Sequence, residues 1–278
     1  MPGLKRTLAA AALLCLPVTA LHAARQRGDE RNSFKSYYTP EYLAFRNTVM
    51  AEFAKVPAGK FSEFLKRRHA DQGGGQKVLA LTFDACGGRH SGYNKALIDY
   101  LRKEQIPATL FVTGIWIEKN KETFAELSKD PLFEIENHGL LHRLCSTQGR
   151  SKYGVYPTHS LGDVIDEMEL NARKIQGLTG RRPVFFRSAT AYTDELSMKV
   201  AQRLGMEVVS YDVLSGDAMH ASAKTMSANI LAGARHGAVV IMHFNHPEWA
   251  EEKALEMAVP ELRRRGFAFG KLEDFNVR

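Results

Sequence analysis

The stretch KVLALTFDACGG, residues 77–88, sets the reading of the whole chain. Val78, Leu79, Ala80 and Leu81 form an apolar run that passes through Thr82 and Phe83 to one carboxylate, Asp84. Ala85, Cys86 and the pair Gly87–Gly88 follow. An unbroken apolar run of this length suits a strand buried on both faces, and a glycine turn directly after an acid is where α/β enzymes carry chemistry.

Working outward, the pattern recurs. Strand-like runs are expected at 107–113, 132–137, 183–187, 206–213, 237–244 and 267–272, in addition to 77–84. Helical patterns lie between them at 92–104, 116–128, 160–177, 193–204, 223–234 and 250–265. Apolar strands joined by helical connections imply a parallel sheet covered by helices, either open and doubly wound or closed as a barrel. Both architectures gather function at the C-terminal ends of the strands. Before this region, 40–53 and 60–69 read as amphipathic helices, and DQGGGQ (71–76) reads as a joint.

The chain has 278 residues, 44% of them hydrophobic, enough for one sizeable core with a small appendage. Its formal net charge is +7, which suits an acidic polymer but is specific to no partner class. Lys5 and Arg6, the apolar run 8–20 and the small residues of VTALHAA describe a secretory signal peptide at 1–23. Its removal leaves a net charge of +5 and two cysteines, Cys86 and Cys145. The expected location is periplasmic or secreted, with no membrane span and no nucleic-acid partner.

Titratable residues collect at the strand ends. The first run ends in Asp84, the third in NHGLLHR with His138 and His142, and the fourth in Arg187. Asp212 and Asp217 follow the fifth, and His243 and His246 the sixth. On a helical turn, His138 and His142 would share a face able to bind one divalent ion. For Asp84, capping competes with a base or ligand role; for Arg187, a structural ion pair competes with holding a catalytic acid. For Asp212 and Asp217, loop capping weighs as much as function. Metal, base and acid together describe hydrolysis of a carbonyl compound.

LTFDACGG, EIENHGLLH, FFRSAT, SYDVLSGDA and VVIMHFNHP occur in the order of the five motifs of polysaccharide deacetylases, carbohydrate esterase family four, and the chain resembles that family over about residues 77–275. The resemblance implies a distorted (β/α) barrel of about seven parallel strands at 77–278. Residues 24–76 would be an N-terminal arm and helical extension. It also implies removal of N-acetyl groups from sugars of peptidoglycan or another polysaccharide such as an exopolysaccharide, with zinc or another divalent ion. By the same resemblance Asp84 is the catalytic base, Arg187 the arginine that holds it and His243 the general acid. Asp217 is an acid supporting His243, and His138 and His142 bind the metal.

This sequence departs from the pattern in several places. Ala85 stands where the family has a second acid that binds the metal. Gly139 replaces a hydroxyl residue, Thr190 a tyrosine, and Leu214 and Ala218 two members of the fourth motif. Ala85 leaves three readings: Asp84 itself completes the ligand set with His138 and His142; Glu136, His246 or water completes it; or the metal is weak or absent. The first is the expectation here. Two further functions stay open, a hydrolase of another amide such as a cyclic ureide, and a glycan-binding pseudoenzyme. Cys86 and Cys145 both fall near the rim of the implied barrel, and a disulfide between them is expected, tying the Asp84 loop to the histidine loop.

Overall fold

The computed structural model describes residues 34–63, 76–88 and 91–275. The expected signal peptide and most of the 60–69 helix lie outside the described residues. The chain divides into two units, Met1–Tyr38 and Thr39–Arg278. Of the first, a short 3₁₀ turn at Lys35–Tyr37 is described. All that follows concerns the second.

Helix α1 (Pro40–Phe53) starts where expected, with proline in its first turn and Thr39 Oγ1 accepting from Tyr42 N at 3.2 Å. It packs on α5 (Leu161–Thr179), where Tyr42 Oη and Arg46 Nε donate to Asp166 Oδ1 at 2.5 and 2.7 Å. Helix α1 is therefore part of the same compact unit as the sheet. Residues Phe61–Glu63 form a strand, β1, not the start of a helix: they pair antiparallel with β6 (Tyr192–Asp194). Pairing with an available edge here overrides the helical periodicity of the local sequence.

The main sheet is parallel throughout. Its strands are β2 (Lys77–Ala85), β3 (Ala108–Val112), β4 (Phe133–Asn137), β5 (Phe185–Phe186), β7 (Glu207–Val208), β8 (Val213–Leu214), β9 (Val239–His243) and β10 (Phe267–Gly270). Their order is β7-β5-β4-β3-β2-β9-β8, with β10 on the first half of β2. The expected strand 206–213 is split between the two ends of this order. Val209 N donates to Phe186 O, whereas Asp212 N donates to Val239 O. Four residues, 209–212, thus step from one sheet edge to the other, which requires the sheet to curl until its edges approach. That is the distorted barrel expected from the sequence.

Strand alternation separates two cores. Leu79, Leu81, Phe83 and Ala85 pack outward against Leu97, Ile98 and Leu101 of α2 (Lys95–Lys103) and Leu255 and Leu262 of α8 (Glu251–Arg264). Ala80, Phe111, Phe185, Val209 and Val239 form the inner cluster. Thr82 and Asp84 belong to the inner set of β2, so the first catalytic candidate points into the barrel at its C-terminal end.

Asn94 Oδ1 caps α2 by accepting from Leu97 N, and its amide donates to Glu251 Oε2 at 3.2 Å. Burial pushes the Glu251 carboxyl up to about 8 from an ordinary 4.5, and its Oε1 has no hydrogen-bond partner among the described residues. A raised folded-state value means the native state holds a proton that the unfolded chain releases. The resulting stabilisation is complete below about pH 4.5 and is lost as pH rises through about 8. Unfolding by urea is expected to become easier by a few kcal/mol across that window, and Glu251→Gln is expected to flatten the dependence. An unchanged slope in the variant would rule the assignment out.

Candidate active site

Four loops converge at the C-terminal ends of β2, β4, β5 and β9. Asp84 and Arg187 are almost wholly buried, at 2% and 0% exposure, so neither charge has bulk water as its partner. Arg187 Nη1 donates to Asp84 Oδ1 at 2.7 Å, and Nη2 donates to Thr82 Oγ1 at 2.9 Å and Ser210 O at 3.2 Å. The guanidinium also lies over the Phe111 ring, 4.2 Å from its centroid. These contacts fix both the position and the ionisation partner of Asp84, leaving Oδ2 toward the site, 3.6 Å from His138 Nε2.

The two histidines meet, with ring centroids 4.9 Å apart, but not on a helical turn. The segment after β4 is a loop in which Gly139 (φ +88°) and His142 (φ +55°) take left-handed backbone. Glu167 on α5 organises it by accepting from Leu141 N and Arg143 N. A Cβ at Gly139 would lie 2.3 Å from Glu167 Oε1, which gives glycine at this position a physical reason. His138 Nδ1 contacts the Arg187 carbonyl at 2.8 Å. A carbonyl only accepts, so Nδ1 carries the proton and Nε2 turns its lone pair to the site.

The third donor near them is Cys86. Its Sγ lies 3.7 Å from His138 Nε2. Among the described residues, one group of metal-ligating side chains has its donor atoms all within 4.8 Å of one another: Cys86, His138 and His142. Tetrahedral zinc with bonds of about 2.0–2.3 Å places its donors roughly 3.3–3.6 Å apart. The donor types and spacing therefore fit a divalent ion. Burial pushes the Cys86 thiol up, but the charges of His142 and His243 and hydrogen bonds with His138 and His142 outweigh it and hold the thiol well below its ordinary value.

His243 ends β9 and faces Asp217, which lies in the loop after β8. Asp217 Oδ2 accepts from His243 N at 2.6 Å and contacts His243 Nδ1 at 3.0 Å. Its Oδ1 accepts from Ser215 Oγ and Ala218 N. Burial pulls His243 down, yet Cys86 and Asp217 lift it well above its ordinary value. Trp249 stands beside it, 5.7 Å between centroids, and stacks on His246 at 3.9 Å.

Some candidates have structural work instead. Asp212 binds Arg235 Nη2 and Val239 N and closes the sheet edge. Glu136 Oε2 accepts from Val184 N and Phe185 N, and burial, the largest influence, pushes its carboxyl well above the ordinary range. The expected Cys86–Cys145 disulfide is not formed: both cysteines are free. Cys145 is buried in the cluster of Val164, Ile165, Met168 and Phe186 between sheet and helices, whereas the Cys86 thiol faces the histidines. Neighbouring loops do not make two side chains face each other.

The family model of polysaccharide deacetylases matches residues 71–209, half of the chain. The chain belongs to the polysaccharide deacetylase family. Membership places it among hydrolases of amide bonds outside peptides, the class expected from the sequence. It is 25% identical over 203 residues to peptidoglycan-N-acetylmuramic acid deacetylase PdaA of Bacillus subtilis, covering 72% of this chain and 71% of that protein. It is 23% identical over 197 residues to a peptidoglycan-N-acetylglucosamine deacetylase of Bacillus cereus, covering 70% and 85%. Among solved structures, BA3943 of Bacillus anthracis, described as a CE4 family pseudoenzyme, shares the fold at a TM-score of 0.61 and 21% identity, over 72% of this chain and 65% of that one. No helix among the described residues is long and apolar enough to cross a membrane.

Proposed function

We propose that this deacetylase-family protein removes N-acetyl groups from an N-acetylated glycan, with peptidoglycan the first candidate and an exopolysaccharide the second. It would act outside the cytoplasm, after loss of the leader at 1–23. The observation that carries the reading is the pair of polar dyads, Asp84–Arg187 and His243–Asp217, flanking His138 and His142 at the C-terminal strand ends. The peptidoglycan activity in the names of the two relatives supports the substrate class.

Each residue has a role that follows from its surroundings. Asp84, with one oxygen held by Arg187, takes the proton of the attacking water with the other. Arg187 pairs with that carboxylate and orients it. His243, hydrogen-bonded to Asp217, gives a proton to the departing sugar amine, which would otherwise leave as an anion. A divalent ion, zinc in this reading, would be held by His138, His142 and a ligand from the loop after β2. Such an ion supplies Lewis acidity toward the acetyl carbonyl and acidifies a water.

The test is acetate release from peptidoglycan and N-acetylglucosamine oligomers. Release is expected, with loss on chelation and return on adding zinc. No acetate from any such glycan under any metal condition would sink the reading. Ala85 favours one alternative, a glycan-binding protein without catalysis. Glycan binding with no bound metal and no acetate would establish that alternative.

A further inference from the structure

We propose that Cys86 is a metal ligand, forming a thiolate–dihistidine site with His138 and His142 in place of the acid that Ala85 lacks, and leaving Asp84 outside the coordination shell. The inference rests on the reading of this site as a metal centre and goes beyond it, because the family resemblance implies a carboxylate at the third position.

The structure narrows the third ligand by elimination. Ala85 has no donor atom. Glu136 gives Oε2 to two backbone amides at β5, and the residue is not in the group of close donors with His138 and His142. His246 stacks on Trp249 and contacts Glu248 Oε1 at 3.0 Å. Asp84 has one oxygen on Arg187, and its Oδ2, though 3.6 Å from His138 Nε2, is not part of the group whose donors all lie within 4.8 Å of one another. Cys86 is part of that group.

The loop is also built to hold the thiol there. Thr113 Oγ1 lies 3.1 Å from Cys86 O, and Gly87 N donates to Ser91 Oγ at 3.1 Å. Gly87 takes φ +84°, and a Cβ on it would lie 2.4 Å from Ile115 Cγ1, so the turn that aims Cys86 requires glycine. A cysteine one residue past the missing acid, on a turn fixed from both sides, can reach the ion that the acid would have reached. Thiolate with two imidazoles suits zinc and cobalt(II); it disfavours magnesium, manganese and calcium, which prefer oxygen.

The test uses the purified protein loaded with cobalt(II). An intense near-ultraviolet thiolate-to-cobalt band is expected, absent in Cys86→Ser. Zinc affinity, measured against a competing chelator, is expected to fall on the order of 10²-fold in Cys86→Ala. Iodoacetamide is expected to label Cys86 in the metal-free protein and not in the zinc-loaded one. Circular dichroism checks that the variants fold. If they do not, the labelling experiment on the unaltered protein decides the matter alone. Cobalt-loaded protein lacking the band, unchanged zinc affinity in folded Cys86→Ala, or equal labelling with and without zinc would each overturn the proposal. None of these measurements depends on acetate release. A thiolate band without deacetylation would leave Cys86 a ligand and remove the enzymatic reading, whereas deacetylation without the band would do the reverse.

Discussion

Asp84→Asn is expected to lower kcat for acetate release by about 10²–10⁴-fold, the usual contribution of a positioned general base. KM should change little. Asparagine has nearly the same shape, and its carbonyl oxygen can still accept from Arg187 Nη1, now 2.7 Å from Asp84 Oδ1. That hydrogen bond is therefore kept, although Arg187 loses its counter-charge and part of the stability of the buried pair goes with it. What disappears is a group that can take up a proton. The same variant addresses Asp84 as a ligand. With Cys86 holding the ion, zinc content in Asp84→Asn should stay near that of the unaltered protein while turnover collapses. If zinc is lost together with activity, Asp84 belongs to the coordination shell. If more than about a tenth of the activity remains, another group is the base.

The contrast between Asp84 and Cys86 also shows where sequence reasoning runs out. The strands were legible because buried parallel strands are continuous apolar runs, and KVLALTFD announces one without any neighbour. The single run 206–213 was harder. Nothing in MEVVSYDV says that its first part pairs with β5 and its last part with β9, since periodicity records faces and not partners. The segment after Lys60 failed for a related reason: Phe61, Ser62 and Glu63 are strand because β6 lies beside them. Asp84, Arg187, His138, His142, His243 and Asp217 stand out as candidates because each lies at or just after a strand end in one of the matched motifs, and the fold brings those ends together. Cys86 has no such signature. The histidines around it stand more than fifty residues away in the chain, so from sequence it is one of two cysteines in a protein expected to be exported, and pairing is the natural expectation. The direction of its side chain, set by the Gly87 turn, decides otherwise.

Arg187→Met is expected to destabilise the fold by about 3–5 kcal/mol, the usual effect of removing one partner of a buried ion pair. Its side chain makes three polar contacts, within β2 and the 209–212 crossing: Asp84 Oδ1, Thr82 Oγ1 and Ser210 O. Methionine fills much of the volume over Phe111 but leaves the Asp84 carboxylate buried without a cation. The cost should therefore come mainly from the orphaned charge and not from a cavity. Removing that charge as well tests this directly. Asp84→Asn/Arg187→Met should recover a large part of the lost stability, giving a coupling energy well outside the error of additivity. Urea unfolding with unchanged m-values is the measurement. If the double variant is no more stable than Arg187→Met alone, the arginine acts through the Thr82 and Ser210 contacts that close the barrel, and its pairing with Asp84 is incidental. If stability returns and deacetylation does not, the pair exists for the reaction. The fold can then do without both charges, and what it supplies is a dry, rigid position in which one carboxylate oxygen is engaged and the other faces the site.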